Sequence, residues 1–244
     1  MRFYPFGLVR NTLTFVKRQI ATRDQRKIRF GSLRRVTPIS RQFGFDRGKP
    51  IDRRYIESFI GQFPSDIQGA VLEIGDDYYS RAFGGDRITS QDVLHVLKGH
   101  SGATIIARLE DASQIPSERF DCVILTQTLH LIYDLRAALS TLKRILKPGG
   151  VLLTTLPGIS QICHDQGYPE TDSWRFTAYS ARRLLNEFFP EKEVHVQTYG
   201  NVLAATAFLY GLSTRELNQS ELDHHDADYP LIVGVRVKNP GESD

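Results

Sequence analysis

Apolar and polar positions along the body of the chain fall into blocks that switch between helical and strand period. Tyr55, Ile56, Phe59, Ile60 and Phe63 follow Asp52 at helical spacing and stop before Pro64, which predicts a helix. Short apolar runs at 70–74, 86–90, 103–107 and 120–126 predict four strands, and the unbroken hydrophobicity of Phe120 to Thr126 predicts burial on both faces. Leu135, Leu139, Leu142 and Leu146 carry the stripe of a further helix. Lys147-Pro148-Gly149-Gly150 ends it before a fifth strand at 151–155. A helix over 181–188, strands at 193–199 and 231–237, and an inserted apolar helix within 202–212 complete the pattern. Strands alternating with helices predict an α/β, Rossmann-like doubly wound sheet that binds its ligand at the C-terminal strand ends.

The first strand runs through Val71-Leu72-Glu73-Ile74 into Gly75-Asp76-Asp77, and Asp92 follows nineteen positions after Glu73. A Gly turn lets the backbone approach a ligand, and an acid at the next strand end accepts both ribose hydroxyls. A pyrophosphate would want a helix N-terminus free of carboxylates. Three acids crowd this turn, so a cationic sulfonium fits better.

At 244 residues the chain holds one well-buried domain with appendages. Cys122 and Cys163 form no CxxC or His/Cys cluster, so neither a disulfide scaffold nor a zinc site is expected, and the setting is read as reducing and cytoplasmic. No apolar run reaches the roughly 20 residues of a membrane span, and no signal peptide is evident. The net charge of +3 is unevenly spread: residues 1–60 hold 15 Lys/Arg against 4 Asp/Glu. Residues 1–42 thus read as a basic extension and 43–244 as the functional domain. The extension is either a solvated arm on an acidic body or a contact for nucleic acid, an anionic membrane surface or a phosphorylated substrate. Leu13, Val16 and Ile20 near helical spacing also permit a surface-lying or partner-binding helix.

Four motifs in order, Val71 to Gly75, Asp92, Asp111-Ala112-Ser113-Gln114-Ile115-Pro116 with Phe120-Asp121, and Leu146-Lys147-Pro148-Gly149-Gly150, resemble the core of a class I S-adenosyl-L-methionine-dependent methyltransferase of the small-molecule type 11 group. The resemblance implies a seven-stranded sheet with an antiparallel last strand, a cofactor half at about 69–157 and a substrate half at about 158–244. It implies that Glu73, Gly75 and Asp76 line the methionine end, Asp92 takes the ribose, Asp111 and Ala112 meet the adenine, and Thr126 joins them from the fourth strand end. The chain departs from the family in one place. After Gly75 come Asp76, Asp77, Tyr78 and Tyr79 where two further glycines are common. Either side chains hold the cofactor or binding has weakened.

The segment Thr126-Gln127-Thr128-Leu129-His130 lacks the Asn/Asp-Pro-Pro-aromatic pattern of nucleobase and glutamine amino-group methylation, and His130 is a candidate base. His164 and Asp165 form a second candidate proton relay. Trp174-Arg175-Phe176-Thr177 resembles a signature of small-molecule and sugar-linked methyltransferases, with Trp174 as pocket wall, Arg175 as anion clamp, Thr177 as helix cap, and Tyr179 beside them as a substrate contact. His224-His225-Asp226 lacks a third metal ligand at useful spacing, so no metal is expected. Phe43 to Arg53, punctuated by Gly and Pro, reads as an ordered arm over the cofactor mouth with Arg47 or Arg53 meeting an acidic group. The expected activity is methyl transfer to a small-molecule hydroxyl of a sugar or glycan. An RNA methyltransferase using the basic arm and a noncatalytic interaction protein are the alternatives. Oligomeric state is left open.

Overall fold

The computed structural model describes residues 29–164 and 172–241, which divide into two units, 1–37 and 38–244. In the first, a short 3-10 turn spans Gly31–Leu33, and Arg34 lies over the Phe30 ring. Residues 1–28 of the basic extension lie outside the described residues.

The second unit carries one seven-stranded sheet in the order β3-β2-β1-β4-β5-β7-β6. The strands are β1 (Gly69–Ile74), β2 (Ile88–His95), β3 (Ile105–Ile106), β4 (Phe120–Thr126), β5 (Leu146–Pro157), β6 (Val194–Tyr199) and β7 (Ile232–Lys238). β1 to β5 run parallel, and β7 inserts antiparallel between β5 and β6. This is the class I methyltransferase fold expected from the sequence. Successive residues of a strand face opposite sides, so Val71 and Leu72 enter different cores. On one face α3 (Leu135–Ile145) and α4 (Ala178–Asn186) cover Leu72, Val123, Leu152 and Val235. On the other, α1 (Ile51–Ile60), α2 (Tyr78–Phe83) and α5 (Val202–Leu209) cover Val71, Ile124, Leu153 and Leu231. A sixth helix, α6 (Gln219–Asp223), precedes β7.

Caps set the helix starts. Asp134 accepts from the Ala137 amide to begin α3, and Thr177 and Ser180 form a capping box for α4. The largest departure from the expected elements is in β2, which runs to His95 rather than ending at residue 90. Its polar stretch Thr89 to Asp92 hides the strand from a reading by hydrophobicity, because its outer neighbour β3 is only two residues long and leaves that side open. No helix among the described residues is long and apolar enough to cross a membrane.

Candidate active site

The site forms where the parallel strands end. Gly75 turns the chain at the tip of β1 with φ of +99°, and its N–H donates to the Leu94 carbonyl at 3.0 Å. The positive φ, not crowding, requires glycine here, since a Cβ would meet nothing within 4 Å. Asp76 sits exposed on the turn and accepts from the Tyr78 amide at 3.0 Å. Glu73 is turned toward the start of α2. Its two carboxylate oxygens accept the amides of Tyr79 (3.0 Å) and Ser80 (2.7 Å), and burial pushes its carboxyl up to about 7. The open first turn of α2 needs acceptors and the buried carboxylate needs donors, so each satisfies the other. Glu73 therefore shapes the loop, with both carboxylate oxygens taken by amides.

Asp92 stands short of the strand tip where it was expected. Register pairs it with Leu72 inside the sheet, and its carboxylate takes Arg119 (2.5 Å) and Thr104 (2.7 Å). The residue at the β2 tip is His95, stacked on His100 with ring centroids 3.8 Å apart. With β2 running on for three residues beyond Asp92, a position counted from Glu73 along the chain falls short of the strand end. Asp111 is exposed at the end of a 3-10 turn, while Ala112 is buried, its carbonyl held by Arg144 at 2.8 Å. That anchor ties the segment down onto α3, and neither residue lines the two cavities described next.

A cavity of about 250 Å³ lies over the ends of β4, β5 and β7. Gln127, His130, Ser160 and Cys163 line it from the sheet side, Asp52 and Arg53 from the start of α1, and Phe43 and Phe45 from the preceding strap. Thr126 ends β4 beside it, its carbonyl accepting the Thr128 hydroxyl at 2.9 Å. Gln127 and Phe43 are two of the three non-glycine residues with positive φ among the described residues. Both line this one cavity, and such conformations cost of order 1–3 kcal/mol each, which the surrounding structure must impose. His130 is 6 % exposed, its Nδ1 is buried without a partner, and burial pushes its imidazole down to about 4. It is neutral at pH 7, with an acceptor nitrogen available when Nε2 carries the proton.

A second cavity of about 460 Å³ adjoins, lined by Lys49, Glu57, Asp76, Tyr78 and Tyr79, and it shares Phe45 and Arg53 with the first. The strap that closes both is buckled to the segment after α5. The amides of Ile39 and Ser40 donate to the Tyr210 carbonyl, Arg47 pairs with Glu216 at 2.5 Å, and Phe43 packs on Phe208. The arm expected over the site is thus present, with Arg47 rather than Arg53 meeting an acid.

The residues expected to contact substrate stand elsewhere. Arg175 is consumed by Asp172, whose side chain is almost fully buried. Burial opposes ionisation there, yet Arg175 and the Cys163 amide (2.7 Å) hold the Asp172 carboxyl below its ordinary range. Trp174 stacks on Tyr133 and donates its indole N–H to the Ile132 carbonyl at 3.1 Å, so it braces the His130 turn without lining either cavity. Tyr179 is exposed on α4 and meets Arg183 one turn on. His164 is exposed outside both cavities, and Asp165 lies outside the described residues. His225 contacts Thr198 at 2.8 Å, and no cluster of metal-ligating side chains occurs among the described residues. Sequence reasoning missed Asp52, Gln127 and Ser160. Asp52 had looked like a helix start alone.

Residues 69–154 match the family described as methyltransferase domain. No curated protein matches the chain. Among solved structures, the N-methyltransferase NodS from Bradyrhizobium japonicum in complex with S-adenosyl-L-homocysteine superposes with a TM-score of 0.50 at 14% identity, over 84% of this chain and 95% of that one. Phosphoethanolamine N-methyltransferase 2 from Haemonchus contortus gives 0.50 at 11% identity, over 77% and 53%. The [4+2]-cyclase SpnF gives 0.50 at 13%, over 77% and 81%. At such identities these likenesses speak to fold alone, and they span different chemistries. The chain has the class I methyltransferase fold, and its residues 69–154 match the methyltransferase domain family.

Proposed function

We propose that this chain moves a methyl group from S-adenosyl-L-methionine to a hydroxyl of a small molecule, a sugar or glycan, seated in the 250 Å³ cavity. The observation that carries the reading is His130, a buried histidine whose Nδ1 has no partner and which lines a cavity at the parallel strand ends. The donor supplies a carbon already activated by its sulfonium. The open turn at Gly75 and the acidic groups Asp76 and Asp52 suit that positive centre. The chain's own tasks are then to align the acceptor, exclude water and take a proton. The apolar walls Phe43, Phe45, Leu131 and Phe208 exclude water. The His130 imidazole would accept the hydroxyl proton as the new C–O bond forms and the methyl C–S bond breaks, releasing S-adenosylhomocysteine. Asp52 and Gln127 offer polar contacts that orient the acceptor.

The test is mass spectrometry of acceptors incubated with protein and methyl-deuterated donor. A sugar product gaining the labelled methyl group, lost about 100-fold in His130→Ala with donor binding intact, supports the reading. Product formation on amines only would replace the acceptor class. A noncatalytic or non-methylating reading draws on one observation, that the β2 tip carries His95 where the family has an acid. Absence of S-adenosylhomocysteine binding in calorimetry selects it.

A further inference from the structure

Eight arginines among the described residues hold carboxylates: Arg47, Arg54, Arg81, Arg108, Arg119, Arg136, Arg175 and Arg236. Arg53 does not. Its guanidinium is half-buried, donates from Nη1 to the Tyr79 hydroxyl at 2.8 Å and lies over the Phe45 ring, 5.9 Å from its centroid. Asp52 and Asp76 are near enough to act on it through space, but neither forms an ion pair with it. A guanidinium has five N–H donors in a planar fork that matches a carboxylate. Partly removing that charge from water without a paired anion is costly, so its position calls for an anionic partner.

Placement narrows what the partner is. Arg53 is a wall of both cavities, and the larger one also holds Asp76, on the Gly75 turn, and Lys49, which is paired with Glu57. One Asp76 oxygen accepts the Tyr78 amide, leaving the other to receive a donor. A cation fixed by two aromatic residues, facing a carboxylate on a Gly turn, presents complementary charges to a zwitterionic α-amino acid. We infer that Arg53, held by Tyr79 and Phe45, binds the α-carboxylate of the amino-acid end of S-adenosyl-L-methionine, with Asp76 taking its ammonium group. The assignment rests on the cofactor reading above. It accounts for the missing glycines: Tyr79, in the stretch where two further glycines are common, here positions Arg53 from α1 to grip with a side chain.

The test is calorimetry of the full chain with two nucleosides, S-adenosylhomocysteine and 5′-methylthioadenosine, which lacks the amino-acid end. The unmodified chain is expected to prefer S-adenosylhomocysteine by about tenfold or more. Arg53→Met is expected to weaken S-adenosylhomocysteine about tenfold and to leave methylthioadenosine within about twofold. Tyr79→Phe keeps both the fold and the positive charge, and should cost S-adenosylhomocysteine about threefold with no effect on methylthioadenosine. Equal loss for both nucleosides in Arg53→Met, or loss for neither, overturns the assignment. If the unmodified chain binds both nucleosides equally, the cofactor reading stands and Arg53 is rejected. If it binds neither, the cofactor reading fails and takes Arg53 with it.

Discussion

At the scale of single residues, burial decides which titratable groups stand ready for chemistry. His130 is neutral because taking a proton would place a charge in an enclosed space, and the depression to about 4 has a consequence for stability. In the unfolded chain a histidine titrates near its ordinary 6.5. A folded value below the unfolded one means that acid favours unfolding. The contribution is fully present above about pH 6.5, is lost as pH falls toward 4, and amounts to about 3 kcal/mol across that window. Chemical denaturation of the wild type and His130→Gln at pH 7.5 and 4.5 should show the gap between them narrow or reverse on acidification. A constant gap would disprove the neutral, buried state. Asp92 teaches the opposite lesson. A carboxylate of suitable type and spacing is spoken for by Arg119 and Thr104, and a residue's chemistry is available only where its partners leave it free.

At the scale of elements, the site depends on a strap that belongs to no regular structure. Residues 38–50 are held against the segment after α5, and two glycines permit the approach. Gly211 has φ of +72°, and a Cβ there would lie 2.2 Å from the Ser40 carbonyl oxygen. Gly44 has φ of +90° and would meet the Leu212 carbonyl oxygen at 2.6 Å. Gly211→Ala combines left-handed strain with a backbone clash that no side-chain movement relieves, so it should destabilise by about 3 kcal/mol. Thermal unfolding reads the loss directly, and limited proteolysis should open the chain near residues 38–50 first. A loss under about 1 kcal/mol would mean that the strap is not clamped as described. Glu73 works at this scale too, joining the end of β1 to the start of α2 so that the short Gly75 turn holds its shape.

At the scale of the molecule, every group lining the two cavities falls within residues 38–244, a compact unit on its own. A chain beginning at Pro38 should therefore fold with a cooperative transition and bind S-adenosylhomocysteine within about twofold of the full-length affinity. Calorimetry on the shortened protein checks this, and a tenfold weakening would bring the basic extension into the site. The doubly wound sheet explains why the cavities sit where they do. All parallel strands end on one side, and the connections that leave those ends supply the loops that line both cavities.

Periodicity and turn residues alone determined the layered architecture, the first strand with its Gly75 turn, the doubly buried β4 and the helix from Leu135, because these follow from local sterics and from which face each residue shows. Gly and Pro punctuation likewise marked Phe43 to Arg53 as an ordered arm, and residues of it line both cavities. Tertiary structure decided which polar residues share a cavity. Asp52, Arg53, Gln127 and His130 come from distant parts of the chain, and strand register alone brings His95 rather than Asp92 to the tip of β2. Neighbours a few residues along the chain consume Arg175 and Glu73, while Arg53 is placed against Tyr79, 26 residues away, and pairs with no carboxylate. Spacing along a chain reports what a residue can do. Whether it does so depends on what its neighbours in space already satisfy.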